Sequence, residues 1–314
     1  MMSASTVKSE NTKTSPLKSQ ISMLLSGTFM GVVGLFVSFL GHYHLSTVVL
    51  LRGIFGVAFL TLFMIKTHSF SREFFNESFK FHWKALIISG LIYPFVIYLY
   101  FLSITIYGYA IAAFLLYTSG IFVLLFIILT RMEKVSKINI VSFALAILGV
   151  GIIMEFWNSP PLSLSLMIGI SSGIALSFFI FYKKIIYNKR KTLEQDLKAK
   201  GDFDIFLAWW HALFLIFIFL PFGAADLPKL TYIEWMFALL LGLIPTALAF
   251  TLYNIGVKND KGGNIIILSY VETVVATINT IIFLNTFSIY TIMGGVLIIL
   301  ANIIVLKYSG RKEN

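Results

Sequence analysis

A single carboxylate, Glu272, lies near the middle of an otherwise almost wholly apolar stretch, residues 263–284. About twenty such residues form a helix of about 30 Å, which is the thickness of the hydrocarbon core of a bilayer. In a helix that spans a membrane, Glu272 would lie about 14 Å from the start, near the midplane. An ionised carboxylate is costly at that depth, so we expect it to face a cavity or a partner.

Three roles are open for Glu272. A low dielectric favours the protonated form of a buried carboxyl group, which would suit the coupling of transport to protons. The carboxylate could instead bind an amine on a substrate. The structural alternative is an ion pair or a hydrogen bond that only holds helices together.

Arg52 is the only arginine inside a predicted membrane span. It lies roughly 10 Å from the end of its helix that faces the outside. Its guanidinium could hold a substrate carboxylate through two parallel hydrogen bonds. It could also pair with Glu272, or extend to the outer surface as a structural anchor.

His211 has a similar place in a later span and follows two tryptophans, Trp209 and Trp210. Two large rings beside an ionisable group are typical of an aromatic-lined site with a pH-sensitive member. The alternative is a histidine bonded to a backbone carbonyl near a helix end, with the two tryptophans at the membrane interface.

Further polar side chains are expected at membrane depth. Tyr117 matches Tyr270 between two similar parts of the chain, and Ser119 matches Glu272 in the same way. Each could contact a substrate, or could join two helices by a hydrogen bond worth ~0.6 kcal/mol. The remaining candidates for the binding site are Tyr93, Tyr98, Trp210 and Asn254.

The composition of the chain predicts a membrane protein. Of the 314 residues, 58% are hydrophobic and only 12% are charged, and the mean hydropathy is +0.91. Soluble domains carry about twice that charged fraction. There is no cysteine, which excludes disulfide bonds. We therefore predict an all-α membrane protein embedded in a lipid bilayer.

Ten apolar segments are long enough to be transmembrane helices. They fall at residues 20–40, 46–65, 85–104, 108–130, 138–157, 163–182, 204–222, 233–256, 263–284 and 288–307. Of the 24 Lys and Arg residues, 22 lie in the two tails, in the even-numbered gaps or at the last residue of the tenth span, and the exceptions are Arg52 and Lys229. The positive-inside rule then places both termini in the cytoplasm. Because topology accounts for the basic charge, we expect no nucleic-acid partner.

The ten spans divide into two similar halves, residues 20–157 and 163–307. Ser89-Gly-Leu-Ile opens into the third span, and the similar run Leu241-Gly-Leu-Ile lies in the eighth. Five spans in each half put the second half upside down relative to the first. This is the inverted-repeat plan of secondary transporters, in which the substrate site lies between the halves near the midplane.

A proline stands in the equivalent span of each half, Pro94 and Pro245. A proline inside a helix removes one backbone hydrogen bond and bends the helix. We predict hinges at these two positions, because matching bends could let helix ends rock about a central cavity. The alternative is that the two kinks only shape the packing.

The remaining segments are tails and connectors. We expect a disordered cytoplasmic tail at 1–19, which is rich in Ser, Thr and Lys, and a short cytoplasmic tail at 308–314. An outer connector is expected at 158–162 and a long cytoplasmic loop at 183–202. The alternative for this loop is a surface helix that contacts anionic lipid.

Four local runs, together with the two five-helix halves, resemble the EamA-type ten-helix members of the drug/metabolite transporter superfamily over about residues 20–307. The runs are Leu50-Leu-Arg-Gly, Leu115-Leu-Tyr-Thr-Ser-Gly with the closing Glu133, Leu243-Ile-Pro-Thr-Ala and Tyr270-Val-Glu-Thr. The chain departs from the family at Gly120 and Thr273, where the family usually has proline, and at Leu284-Asn-Thr-Phe-Ser, where a second closing glutamate is expected.

The resemblance implies a secondary transporter in the cell (inner) membrane. Its members export or exchange small metabolites, commonly amino acids or related compounds, without ATP hydrolysis. The chain agrees on the last point, since it has no Gly-Lys-Ser/Thr loop that would cradle a phosphate. We expect alternating access through a central cavity, a small polar or amphipathic substrate, and protons as a candidate coupling ion.

Two other classes of protein are weighed against a transporter. A membrane-embedded lipid-modifying enzyme would need a reactive cluster at one interface, and the sequence shows none, so we expect no enzyme and no cofactor. A receptor without transport activity would have a solid core around Glu272. A metal site is not expected, because His42 and His44 have no third ligand nearby. The oligomeric state is left open.

Overall fold

The computed structural model describes residues 16–131, 135–153, 155–158, 164–193, 199–260, 264–284 and 289–309. Across these ranges the chain is helical, and none of them contains a β-strand. The α-helices are α1 Pro16–Met30, α2 Val33–Phe39, α3 Leu45–Lys66, α4 Arg72–Tyr107, α5 Tyr109–Tyr117, α6 Ser119–Thr130, α7 Lys137–Ile153, α8 Leu164–Thr192, α9 Phe203–Gly223, α10 Tyr232–Gly242, α11 Ala249–Lys258, α12 Asn264–Leu268, α13 Val271–Leu284 and α14 Ile289–Ser309.

Seven helical segments of the described chain are long and apolar enough to cross a membrane. They are Leu17–Phe39, Leu45–Lys66, His82–Ile106, Met167–Thr192, Phe203–Lys229, Tyr232–Lys258 and Ile266–Phe283. Three shorter apolar helices, Leu115–Thr130, Lys137–Ile153 and Ile292–Val305, fall where the sequence predicts further spans. The prediction of an all-α membrane protein is confirmed, while the number ten stays a prediction.

The distribution of side chains is that of a protein surrounded by lipid. Leu62, Leu129 and Phe217 expose 60%, 70% and 66% of their surface, and many other large apolar side chains are also exposed. Polar side chains such as Thr246 and Asn254 are instead buried in the interior. Extensive exposed apolar surface marks a membrane contact, so hydrocarbon covers the outer faces of these helices.

Helix packing is duplicated between the two halves of the chain. Helix α3 packs along α9, and α7 packs along α14, so each of these helices contacts its counterpart from the other half. The contact of α4 with α8 is matched by the contact of α1 with α11. The interrupted spans meet where α5 contacts α13. Equivalent helices of the two halves therefore pack in the same way.

Side-chain caps fix where two of the later helices begin. At the start of α9, Asp202 Oδ1 accepts the backbone N–H groups of Asp204 and Ile205, at 2.9 and 3.2 Å. Thr231 and Glu234 form a reciprocal capping box at the start of α10. These caps satisfy donors that have no partner within the first helical turn.

The sequence predicts a long loop after the sixth span. This prediction is wrong over residues 183–192, because they continue α8. The sequence suggests a solvated segment because of its basic charge, yet two of its lysines are buried. Lys183 donates to Asn254, and Lys184 pairs with Asp260. Partners from the neighbouring part of the fold therefore allow a charged segment to stay helical.

Other expected features fall outside the described ranges. These are most of the tail at 1–19, most of the connector at 158–162, Glu133 at the end of the first family run, and residues 285–288 in the second closing segment.

The contact of α7 with α14 gives a test of the fold. A methyl group on Gly294 would lie 2.2 Å from the carbonyl oxygen of Gly149, whereas one on Gly295 would meet nothing within 4 Å. We predict that Gly294→Ala lowers the free energy of unfolding by about 1–3 kcal/mol through overpacking. Gly295→Ala is the adjacent control and should be neutral or stabilising by up to about 1 kcal/mol. Thermal unfolding in detergent measures both, and equal midpoints would contradict this packing.

Candidate functional site

Two apolar spans are interrupted at equivalent places in the two halves. Helix α5 ends at Tyr117 and α6 begins at Ser119, while α12 ends at Leu268 and α13 begins at Val271. At each break the backbone bonds shorten to the i to i+3 pattern, as where the N–H of Glu272 donates to the carbonyl of Ser269, at 3.0 Å. Such breaks release carbonyl groups that need donors from elsewhere.

Two tyrosines supply those donors reciprocally. Tyr117 Oη donates to the carbonyl oxygen of Ser269 at 3.0 Å, and Tyr270 Oη donates to the carbonyl oxygen of Tyr117 at 2.9 Å. Their ring centroids are 4.6 Å apart. The pair that the sequence matches between the halves is thus brought into contact, and each hydroxyl satisfies the broken helix of the other half.

The first span has a similar break between α1 and α2. The carbonyl oxygen of Met30 accepts from Tyr109 Oη at 3.1 Å, and that of Gly31 accepts from Asn279 Nδ2 at 2.9 Å. Side chains of other spans therefore satisfy the released backbone groups here too, as irregular backbone at membrane depth requires.

Glu272 lies at the break that begins α13 and is 5% exposed. The hydroxyl of Tyr117, whose single proton is shared with the carbonyl of Ser269, lies 2.5 Å from its Oε2, and Tyr100 Oη donates to its Oε1 at 3.2 Å. Neutral hydroxyl groups therefore hold this carboxyl group. Within the described chain it forms no ion pair with a lysine or an arginine.

Arg52 is buried, with 1% of its surface exposed, on α3. Its Nη2 donates to the carbonyl oxygen of Pro245 at 3.0 Å, and its guanidinium carbon lies 5.4 Å from the ring centroid of Phe101 and 5.6 Å from that of Phe250. Its Nε has no hydrogen-bond partner among the described residues. Arg52 therefore does not extend to the outer surface as an anchor, and it does not form an ion pair with Glu272.

The two predicted prolines have different local structures. Helix α4 continues unbroken through Pro94, whereas Pro245 lies in a π-helical turn, Leu243–Leu248. Proline has no N–H to offer the carbonyl of Leu241, and Thr246 Oγ1 donates to that carbonyl instead, at 2.8 Å. The carbonyl of Pro245 itself faces Arg52.

Arg52 and Glu272 line one interior cavity of about 60 Å³. A single water molecule needs roughly 10–15 Å³ of such space, so the cavity has room for a few water molecules. Four further predicted site residues line the same cavity: Tyr93, Tyr117, Ser119 and Tyr270. The rest of the wall is largely apolar, and it includes Phe179, Phe250 and Tyr253.

Four other predicted residues lie away from this wall. His211 is buried behind it, with Nε2 3.0 Å from Ser89 Oγ and its ring centroid 5.6 Å from that of Tyr93. The other three are engaged elsewhere: Trp210 Nε1 donates to the carbonyl of Leu86, the ring of Tyr98 stacks on Phe219, and Asn254 bonds Lys183 and the backbone of Asp204.

Two residues beside the cavity are missed by the sequence analysis. Tyr100 bonds Glu272, and Tyr253 follows it by 153 residues, the same offset that relates Tyr117 to Tyr270. Lys183 lies next to the aromatic part of the wall. The sequence predicts a loop at this residue because a basic segment begins there. The position of Tyr100 in the same predicted span as Tyr93 and Pro94 also indicated that it could lie at the site.

The sequence matches the EamA-like transporter family over residues 17–155 and again over residues 198–307. The chain belongs to this family. The match falls on the two halves that contribute Tyr117 and Tyr270 to the central contact. The resemblance to the drug/metabolite transporter superfamily is thereby confirmed, and the protein is a multi-span membrane protein of a transporter family.

Comparison with solved structures agrees on the fold of this EamA-like transporter. A chain described as "Crystal structure of protein" superposes with a TM-score of 0.73 at 14% sequence identity, covering 95% of this chain and 100% of that one. At this identity the likeness shows the fold alone. No functionally curated protein matches the sequence.

The reciprocal tyrosine contact can be tested by removing one hydroxyl. Tyr117→Phe leaves the carbonyl of Ser269 and Oε2 of Glu272 without this donor in the buried interior. We predict that it lowers the free energy of unfolding by about 1–3 kcal/mol. The control is Tyr98→Phe, for which we expect a change below about 0.5 kcal/mol. Thermal unfolding in detergent compares the two, and equal losses would argue against the contact.

Proposed function

We propose that this EamA-like transporter is a secondary transporter of a small metabolite that carries both a carboxylate and an amine, as amino acids do. The observation that carries this proposal is the pair of opposite charges on one cavity. Arg52 and Glu272 both line it, and each is held by neutral groups rather than by the other.

The geometry of Arg52 suits a carboxylate ligand. Only one hydrogen bond, to the carbonyl of Pro245, and a 4.0 Å contact with Met30 Sδ engage its Nη2, and its Nε has no partner in the described chain. A guanidinium with unused donors binds a carboxylate through two parallel hydrogen bonds. Such a ligand would also offset the cost of holding a cation inside the protein.

Glu272 provides the complementary group for an amine or for a proton. Its two oxygens accept from Tyr100 and Tyr117, so an incoming ammonium group would meet a carboxylate already oriented by two hydroxyls. The remaining wall residues are mostly apolar, which matches a substrate with a small hydrophobic part. Protons are proposed as the coupling ion on the same residue.

The transport step proposed is alternating access between two inverted five-helix halves, residues 20–157 and 163–307. The cavity must open to each side of the membrane in turn before a metabolite can pass through it. The breaks between paired helices, and the π-helical turn at Pro245, provide places for that movement. Pro94 and Pro245 are proposed as hinges.

The proposed topology has ten spans, with both termini in the cytoplasm and the protein in the cell (inner) membrane. The direction proposed is export or exchange. Lys and Arg are concentrated in the tails and in the even-numbered gaps, which supports this orientation.

The test is uptake by proteoliposomes of labelled amino acids and related metabolites, with and without a pH gradient. We expect saturable flux of at least one amino acid. In Glu272→Gln, we expect flux that no longer responds to the gradient, because the side chain can no longer release a proton. Gradient-dependent flux in Glu272→Gln would remove Glu272 from coupling, and a wild type that moves no amino acid would reject the substrate class.

A second variant tests the role of Arg52. We predict that Arg52→Gln raises the half-saturation concentration of the transported amino acid by about tenfold or more, because it removes a charge-assisted hydrogen bond. The half-saturation concentration of the carboxamide of the same compound should change much less. Arg72→Gln, at the exposed start of α4, is the control. An equal effect on acid and amide would place Arg52 in the scaffold instead.

A further inference from the structure

Lys183 is a fully buried lysine that the proposed transport step does not use. Its Nζ lies 4.3 Å from the ring centroid of Phe179 and 4.8 Å from that of Tyr253. The ring centroid of Phe250 is 5.3 Å away. All three rings also line the central cavity. The ammonium group and the cavity therefore share one aromatic wall.

The hydrogen-bond partner of this ammonium group is neutral. Lys183 Nζ donates to Asn254 Oδ1 at 2.6 Å, and the amide of Asn254 donates in turn to the backbone carbonyl of Asp204 at 2.8 Å. The carboxylate of Asp204 is engaged elsewhere, by Tyr187 at 2.7 Å and by Lys258 at 3.7 Å. Lys183 has no carboxylate partner among the described residues.

The next residue shows that a carboxylate partner is available to a buried lysine in this part of the fold. Lys184 forms an ion pair of 2.6 Å with Asp260, and both side chains are buried. A buried charge is costly unless it is paired. The fold thus pairs Lys184 with a carboxylate, whereas Lys183 contacts a neutral amide and three rings.

Lys183 also has a defined place along the proposed path. It lies on α8 between the cavity-lining residue Phe179 and the basic end of the helix, Lys189 to Lys191. A substrate that leaves the cavity toward that end passes the three rings first and Lys183 next. A charge-assisted hydrogen bond to a carboxylate is stronger than one to a neutral amide, so a substrate carboxylate would displace Asn254.

We propose that Lys183 is a second anion-binding residue of the transport path, and that it receives the substrate carboxylate from Arg52 when the aromatic wall moves. The inference rests on the proposed function and deepens it. It assigns one cation to each side of the wall: Arg52 holds the carboxylate in the cavity, and Lys183 holds it on the side of the basic loops.

The test uses right-side-out and inside-out membrane vesicles, which present opposite ends of the protein to the medium. The probe is the labelled amino acid that the wild type transports, beside its carboxamide. We expect Lys183→Met to raise the half-saturation concentration of the amino acid about tenfold at the end with the basic loops. We expect little change at the other end, and little change for the carboxamide. The control is Lys191→Met, an exposed lysine on the same helix.

A second variant keeps the test decisive if Lys183→Met does not fold. Asn254→Asp has nearly the same shape and places a carboxylate on Lys183, so it should slow the turnover of the amino acid about tenfold by holding the ammonium group in an ion pair. If Asn254→Asp turns over the amino acid at the wild-type rate, or if Lys183→Met keeps the wild-type half-saturation concentration, the role of Lys183 is overturned. The proposed function would not be affected by either result. A wild type that moves no amino acid in either orientation would reject the proposed function and this role with it.

Discussion

Every backbone polar group that a broken helix releases inside a membrane protein needs a partner from the protein itself, because hydrocarbon offers none. The centre of this chain is built around that constraint. Tyr117 and Tyr270 each donate to the broken helix of the opposite half, and Tyr109 and Asn279 do the same for the break in the first span. The breaks are therefore stabilised at the carbonyls of Tyr117, Ser269, Met30 and Gly31, which all receive a side-chain donor.

Glycine allows these breaks to pack closely. A methyl group on Gly120 would lie 2.3 Å from Tyr270 Oη, and one on Gly173 would lie 2.6 Å from the carbonyl oxygen of Leu115. At the break of the second half, a methyl group on Gly27 of α1 would meet Val271 Cγ1 at 2.6 Å. A side chain at any of these positions would push the crossing helices apart. The same close approach brings Tyr100 and Tyr117 to Glu272, so packing of the backbone determines where the carboxyl group is held.

Buried charges in this transporter fall into two groups that differ in their partners. Lys184 and Asp260 neutralise one another directly, which fixes α8 against the segment after α11. Arg52, Glu272 and Lys183, by contrast, are held by carbonyl, hydroxyl or amide groups and by aromatic rings. Groups of the second kind have no ion-pair partner among the described residues, and all three lie on or directly behind the wall of one cavity. This arrangement relates the fold to the proposed selectivity for a substrate with opposite charges.

Hydropathy, charge distribution and internal repetition are local properties, so the sequence alone was enough to predict the class of protein, its two similar parts and the match of Tyr117 with Tyr270. It did not predict the breaks at Thr118 and Ser269, which form although Gly120 and Thr273 stand where a proline was expected. Only the tertiary structure decided these breaks and the burial of Lys183 and Lys184, since their hydrogen-bond partners lie far away along the chain. A hydropathy scale gives every lysine the same polar value, so it predicts a solvated side chain. An amide, a carboxylate or a ring that is distant along the chain can nevertheless make the burial of a lysine stable.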